Sequence, residues 1–267
     1  MNPDVADLRE FYATRLGLLC ERFVAAALVP VWQPISNERL LGLGYATPWL
    51  DRFAADAERA FAFMPARQGA VNWPPTGPCA TALVFEETLP LADASVDRVL
   101  LVHALEHARD PHETLEEVWR VLAPGGRLVV AVPNRRGVWA RIDTTPFGAG
   151  RPYSRSQLTG LLREASFTPT GWSDALHFAP SQRRANERLA SVVERTGRRF
   201  WPLFAGVIVV EATKRLYQGI PVTRRAASRA LVPVLAPQGA SRGVSRGAAK
   251  GAREGPEHGL PSDPTRR

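Results

Sequence analysis

The side chains that could do chemistry lie in two short segments, each at the end of a predicted strand. The first segment, LLGLGYATPWLDRF at residues 40–53, runs from a strand through Gly42 and Gly44 into a helix. α/β proteins commonly hold a nucleotide at such a turn. In the second segment, His103 follows the apolar strand SVDRVLLV. An imidazole there could accept a proton or orient a substrate; the alternative is that it only lines a pocket or packs.

A long loop that begins at Asn134 mixes cations with aromatic rings. It reads NRRGVWARIDTTPFGAGRPYSRSQL, and loops of this length in compact domains often carry function. Its side chains could clamp an anionic or aromatic substrate, or the loop could be a surface segment with aromatic anchors. Another aromatic ring, in the N-terminal helices, could roof the same site, with a core or rim position as the alternative. The candidate substrate contacts are Tyr12, Arg135, Trp139, Arg151 and Tyr153.

The positive charge is concentrated at the C-terminus. The formal net charge of the 267 residues is +8. Residues 218–267 hold nine Arg or Lys against three Asp or Glu, a net of +6, so the rest of the chain carries only +2. The near-neutral remainder is weak support for a nucleic-acid-binding core. The tail could contact anionic surfaces weakly, but its composition favours a solvated, disordered end.

The cysteines and the N-terminus indicate a reducing setting. Cys20 and Cys79 form no CxxC or Cys/His cluster, which argues against zinc and against a disulfide framework, and we expect no metal. The N-terminus carries acids early and has no apolar segment of signal-peptide type. The apolar run FVAAALVPVW is too short to span a bilayer. These features predict a soluble, cytoplasmic protein.

Hydrophobic periodicity predicts alternating strands and helices. Apolar residues near helical spacing predict one or two helices over residues 4–31. Asp110, Pro111 and Glu113 have the spacing of a capped helix start. The run RLVVAVP is typical of a strand that is covered on both faces. The alternation of strands with helices predicts a doubly wound α/β sheet.

Residues 89–137 resemble the class I S-adenosylmethionine (SAM)-dependent methyltransferases, specifically the methyltransferase type 11 group. The shared pattern is an LP-x-x-D-x-S-x-D lead-in, an apolar strand, LEH, DP, a helix ending R-V-L-x-P-G-G, and a strand ending V-P-N. With the flanking strands, the resemblance covers roughly residues 37–215. It implies a Rossmann-like seven-stranded sheet, mostly parallel with the last strand antiparallel, with helices on both faces. It also implies SAM as cofactor.

The resemblance places a SAM loop at the glycine turn, with departures from the family pattern L-D-x-G-x-G-x-G. Gly44 matches the first glycine, Gly42 stands where the family has an acid, and Ala46 and Pro48 replace later glycines. No acid follows the second strand, where the family accepts hydrogen bonds from the ribose hydroxyls. Losing a charged hydrogen bond costs about 1.5–3 kcal/mol, or about tenfold to a hundredfold in affinity. Gln68 could substitute in part.

The remaining family positions complete the predicted site. An acid near the end of the third strand faces the adenine amino group in the family, and Glu86 or Glu87 could do so here. The LEH residues Glu106 and His107 are expected to fix the turn before the next helix. The predicted cofactor contacts are Gly42, Gly44, Tyr45, Ala46, Gln68, Glu86 and Glu87.

The sequence therefore predicts a SAM-dependent methyltransferase with a small-molecule acceptor and His103 as the catalytic base. We expect N-terminal helices capping the site at 1–36, a methyltransferase-like domain at 37–217 and the basic tail at 218–267. The first alternative is a methyltransferase-like fold with lost activity that serves as a binding or scaffold protein, which the missing acids favour. A nucleic-acid methyltransferase is disfavoured, because the chain has no N/D-P-P-Y/F motif.

Overall fold

The fold is built on a seven-stranded sheet. The computed structural model describes residues 3–32, 36–180 and 187–216. The strands are β1 (Arg39–Gly44), β2 (Arg59–Pro65), β3 (Thr81–Val84), β4 (Val96–Val102), β5 (Leu122–Pro133), β6 (Phe167–Ala175) and β7 (Val207–Lys214). Their order across the sheet is β3-β2-β1-β4-β5-β7-β6. The predicted tail at 218–267 lies outside the described residues.

Strand pairing confirms the predicted sheet. β1 pairs in parallel with β2 and β4, β2 with β3, and β4 with β5. β7 inserts between β5 and β6 and is antiparallel to both. Neighbouring strands in the parallel half are continuous apolar runs, as expected where helices cover both faces.

Six helices cover the sheet within the described residues. They are α1 (Val5–Ala13), α2 (Arg15–Leu28), α3 (Thr47–Ala54), α4 (Pro111–Val121), α5 (Arg155–Glu164) and α6 (Glu187–Phe200). α4 starts at the predicted cap, since the Asp110 carboxylate accepts from the backbone N–H groups of His112 and Glu113. β5 begins at Leu122, so the Pro-Gly-Gly sequence lies inside a strand and not in a free turn.

Side chains alternate between two apolar cores along each central strand. Leu40 and Leu100 face a core shared with α1, α2 and α3. Leu41 and Leu101 face a core shared with α4 and α5. All four side chains have no exposed surface. The two cores hold the parallel strands in register, and this brings their carboxyl ends to one edge.

β1 and β4 pack tightly against each other at the carboxyl edge of the sheet. Gly44 has a φ of 87°, and a Cβ built there would lie 2.4 Å from the carbonyl oxygen of Val102. Only glycine fits both the left-handed backbone and the contact. His103, the next residue after β4, also has a positive φ, of 50°. The edge therefore concentrates the backbone strain typical of functional sites.

The N-terminal helices are tied to this same edge. The backbone N–H of Val5 donates to the carbonyl of Gln68 at 2.7 Å, which joins the start of α1 to the loop after β2. Within the described part of the chain, no helix is long and apolar enough to cross a bilayer.

Replacing Gly44 by alanine tests the close approach of β1 to β4. Gly125 is the matched control, because its φ is 78° and a Cβ there would meet open space. We expect Gly125→Ala to cost about 1–2 kcal/mol in the free energy of unfolding, from backbone strain alone. Gly44→Ala should cost at least about 3 kcal/mol, because overpacking adds to that strain. Urea denaturation measures both, and equal losses would contradict the proposed contact.

Candidate active site

A cleft opens at the carboxyl ends of β2, β3 and β4. Its cavity is small, about 20 Å³, and its polar lining comes from three different loops. Arg67 and Gln68 follow β2, Glu86 follows β3, and His103 and His107 follow β4. Ligands in open α/β sheets bind outside the carboxyl ends of the strands, so this is the expected place for a cofactor.

Gln68 presents a hydrogen-bond acceptor to the cleft. Its side chain is 6% exposed, and Nε2 donates to the carbonyl of His103 at 3.0 Å. Its Oε1 finds no hydrogen-bond partner among the residues that the structure describes. A buried amide oxygen without a partner is costly, so a ligand hydroxyl is well suited to satisfy it. Gln68 thus lies in the loop after β2 with its Oε1 free to accept a hydrogen bond in the cleft.

The two glutamates after β3 differ in their surroundings. Glu86 is buried, lines the cleft and is paired with Arg67. The Glu87 carboxylate lies 3.9 Å from the same guanidinium and is more exposed. Glu86 is therefore the member of the pair that faces the cleft.

The glycine turn tolerates its departures from the family pattern. A side chain at Gly42 would meet the Leu50 side chain at 2.5 Å, so α3 packs against β1 where an acid would stand. Ala46 has a φ of −91°, which any residue adopts, and Pro48 lies in the first turn of α3, where its missing N–H costs little. Gly42 therefore serves packing in this structure and does not line the cleft.

Tyr12 fills the space between the glycine turn and His103. Its ring stacks on Tyr45 with centroids 5.7 Å apart, and it meets the edge of Trp49 at 5.4 Å. The Tyr12 hydroxyl lies 2.7 Å from Nε2 of His103. Both predicted residues are thus brought together, and α1 covers this end of the site.

Glu106 lies against His103 on the other side of the imidazole ring. Its Oε1 lies 3.2 Å from Nδ1 of His103, close enough for an ion pair although poorly aligned for a hydrogen bond. Burial raises the pKa of Glu106, but the adjacent His103 and His107 rings outweigh burial and leave this pKa below its usual range. Burial holds the pKa of Tyr12 well above its usual range. We therefore assign a Tyr12 hydroxyl that donates to Nε2, and a Nδ1–H that points to a Glu106 carboxylate.

The rest of the LEH turn supports the following loop. The Glu106 carbonyl accepts from the backbone N–H of Arg151 at 2.8 Å, and Gly150 passes so close that a Cβ would lie 2.8 Å from Nδ1 of His107. Burial lowers the pKa of His107, so its ring is neutral. Donor atoms of His103, Glu106 and His107 lie within 4.8 Å of one another, the spacing of a possible cation site. The contact between His103 and Glu106 explains the closeness of these two residues without a bound cation.

The long loop contributes packing as well as exposed cations. Trp139 has no exposed surface and donates its Nε1–H to the Phe178 carbonyl at 2.6 Å, so it anchors the loop from inside. Phe147, another aromatic residue of the loop, contacts the His103 ring with centroids 5.1 Å apart. The Tyr153 hydroxyl donates to Leu105 at 3.3 Å and is half-buried. Arg135 and Arg151 are exposed.

The sequence of the cleft matches a known domain family. Residues 67–130 match the family model described as "Methyltransferase domain". This range includes Gln68, Glu86, His103 and the LEH turn, and it begins after the glycine turn. This part of the chain is therefore similar to the methyltransferase domain family, which supports the resemblance that the sequence predicts.

Relatives of this methyltransferase domain share its central part. A protein of Mycolicibacterium smegmatis named a probable SAM-dependent methyltransferase is 42% identical over 81 residues, which are 30% of this chain and 31% of that protein. The 27-O-demethylrifamycin SV methyltransferase of Amycolatopsis mediterranei is 32% identical over 114 residues, 40% of this chain and 42% of that protein. The chain thus covers less than half the length of these relatives.

Solved methyltransferases share the fold. A Haloferax volcanii methyltransferase, solved in complex with the Trm112 methyltransferase activator, has a TM-score of 0.55 and 19% identity to this chain. The likeness covers 79% of this chain and 98% of that protein. The agreement confirms the predicted fold.

The contact between Tyr12 and His103 can be tested by removing one hydroxyl. We expect Tyr12→Phe to lower the free energy of unfolding by about 1–3 kcal/mol, because it leaves a buried imidazole nitrogen unpaired. Tyr153→Phe is the control, since its hydroxyl bond is long and half-buried, and should cost less than about 1 kcal/mol. Urea denaturation compares them; a Tyr12 variant as stable as the control would show that the bond is not formed.

Proposed function

We propose that this chain is a SAM-dependent methyltransferase that acts in the cytoplasm on a hydroxyl-bearing small molecule. The observation that carries the proposal is the unpartnered Gln68 oxygen in a cleft that it shares with Glu86 and His103. The family match over 67–130 and the relatives named as SAM-dependent methyltransferases support it. The scaffold alternative gains no support from these relatives.

Residues of the cleft fit the polar parts of SAM. Gln68 Oε1 would accept a hydrogen bond from a ribose hydroxyl, and Glu86 is placed to accept from the adenine amino group. Gly44 and Ala46 would face the methionine part once Tyr12 has moved aside. When bound, SAM supplies a methyl group on a sulfonium, which is electrophilic without further activation.

His103 is positioned to take the acceptor's proton. Its Nε2 already accepts a hydrogen bond from the Tyr12 hydroxyl at 2.7 Å. We propose that the substrate hydroxyl replaces the Tyr12 hydroxyl at this nitrogen. The hydroxyl proton would pass to Nε2 of His103 while the hydroxyl oxygen takes the methyl group, with S-adenosylhomocysteine as the leaving group. Glu106 stabilises the resulting imidazolium across Nδ1.

The choice of a hydroxyl acceptor has two supports. One is the hydroxyl that occupies Nε2 of His103 in this structure. The other is the relative named 27-O-demethylrifamycin SV methyltransferase, a name that points to an oxygen acceptor. The exposed Arg135 and Arg151 would contact an acidic group of the same substrate, as the sequence predicts.

Calorimetric titration with SAM and S-adenosylhomocysteine tests the cofactor assignment. We expect Gln68→Ala to weaken binding about two- to tenfold, because one neutral hydrogen bond is lost. Gln157→Ala is the matched control, since Gln157 lies in the capping box of α5, and it should leave the affinity unchanged. If the wild-type protein binds neither compound up to millimolar concentration, the proposed function is wrong.

Substitution of His103 separates chemistry from binding. With a panel of phenols and alcohols as acceptors, we expect His103→Ala to lower turnover at least about a hundredfold, as for loss of a general base. Its affinity for S-adenosylhomocysteine should change far less. His112→Ala, on the exposed side of α4, serves as control. An unchanged rate of S-adenosylhomocysteine formation in His103→Ala would remove His103 as the base.

A further inference from the structure

An exposed apolar surface lies where α6 ends. Phe200, Trp201, Leu203 and Phe204 are 69%, 40%, 57% and 58% exposed. We call these four side chains the 200–204 patch. Scattered apolar residues on a surface are normal, but large rings and aliphatic chains crowded into five positions indicate an interaction surface.

The opposite side of α6 holds the patch in place. The Glu194 carboxylate accepts from the backbone N–H groups of Leu176 and His177 at 3.0 and 2.6 Å. Gly197 allows the helix to approach His177, since a Cβ there would lie 2.4 Å from that side chain. The helix is therefore fixed through its inner face, and the 200–204 patch points away from the core.

Three cations flank the patch. Arg195, Arg198 and Arg199 are exposed. In the part of the chain that the structure describes, none of the three has a carboxylate within ion-pair distance. Glu194, the acid of the same turn, is buried on the inner side. The exposed end of α6 thus joins aromatic rings to uncompensated positive charge.

We propose that the 200–204 patch and its three arginines dock on the surface of an anionic lipid bilayer. Trp and Phe rings favour the headgroup region, where the apolar ring body leaves water and the indole N–H stays hydrated. Guanidinium groups pair with lipid phosphates, and anionic lipids concentrate such cations at the surface. A shallow surface contact of this kind needs no membrane-spanning helix. The basic residues of 218–267 would add attraction to the same surface.

The docking surface adjoins the carboxyl edge of the sheet. Asn134, the residue after β5, donates its side-chain N–H groups to the carbonyls of Leu203 and Ala205 at 3.1 and 2.8 Å. The patch is therefore fixed to the same edge as the cleft. Bilayer docking does not depend on the proposed methyl transfer, and its test does not use activity.

Vesicle sedimentation of the full-length protein tests the proposal. The probes are phosphatidylcholine vesicles with and without about 30% phosphatidylglycerol. The variant is Phe200→Ser, Trp201→Ser and Phe204→Ser combined. Its matched control is Leu83→Ser with Phe85→Ser, at exposed apolar residues in and just after β3. We expect the wild type and the control to bind the anionic vesicles, and the triple variant to bind at least about tenfold more weakly.

Each other outcome would overturn the proposal. If the triple variant keeps full binding, the basic tail alone makes the contact. If the wild type binds neither kind of vesicle, the patch does not dock on a bilayer. If the wild type is a dimer and the triple variant is a monomer, the patch is a contact between two copies of the chain. Circular dichroism of the triple variant confirms that it is folded. A second readout is the blue shift of Trp201 emission with anionic vesicles, which Trp201→Phe should abolish while sedimentation persists.

Discussion

The close approach of β1 to β4 at Gly44 is the constraint on which the site depends. A Cβ at Gly44 would lie only 2.4 Å from the carbonyl oxygen of Val102, so only glycine fits there. Because β4 ends against that turn, the chain leaves the strand at His103 with a positive φ. This backbone placement puts the imidazole between Tyr12 and Glu106. A packing requirement at one strand end thereby determines the position of the proposed base.

The N-terminal helices complete the site and also close it. Tyr12 lies between the glycine turn and His103, and Phe147 lies against both α1 and the His103 ring. A cofactor that reaches from Gln68 to the turn must therefore move Tyr12. Since α1 joins the sheet edge through the Val5 contact with Gln68, its displacement is coupled to the loop that would hold the ribose.

The sequence predicts the fold well because its signals are local. Strand periodicity and the Asp110 cap are each decided by residues a few positions apart. The family pattern then supplies the number of strands and the antiparallel direction of the last one. Contacts between segments that are distant in the chain could not be predicted from such local patterns. The packing of Leu50 against Gly42, the burial of Trp139 and the contact of Phe147 with His103 depend on tertiary structure. Glu106 lies three residues after His103, a spacing that is visible in the sequence. Because Glu106 belongs to the LEH motif, the sequence indicated a structural role in the turn and not a contact with His103.

A crystal structure with S-adenosylhomocysteine bound tests the central claim most directly, namely that Gln68 replaces the missing ribose acid in a working cofactor cleft. The account predicts a ribose hydroxyl within hydrogen-bond distance of Gln68 Oε1 and a Tyr12 ring displaced from Tyr45. The ligand bound elsewhere, or bound while Gln68 Oε1 stays without a partner, would contradict it.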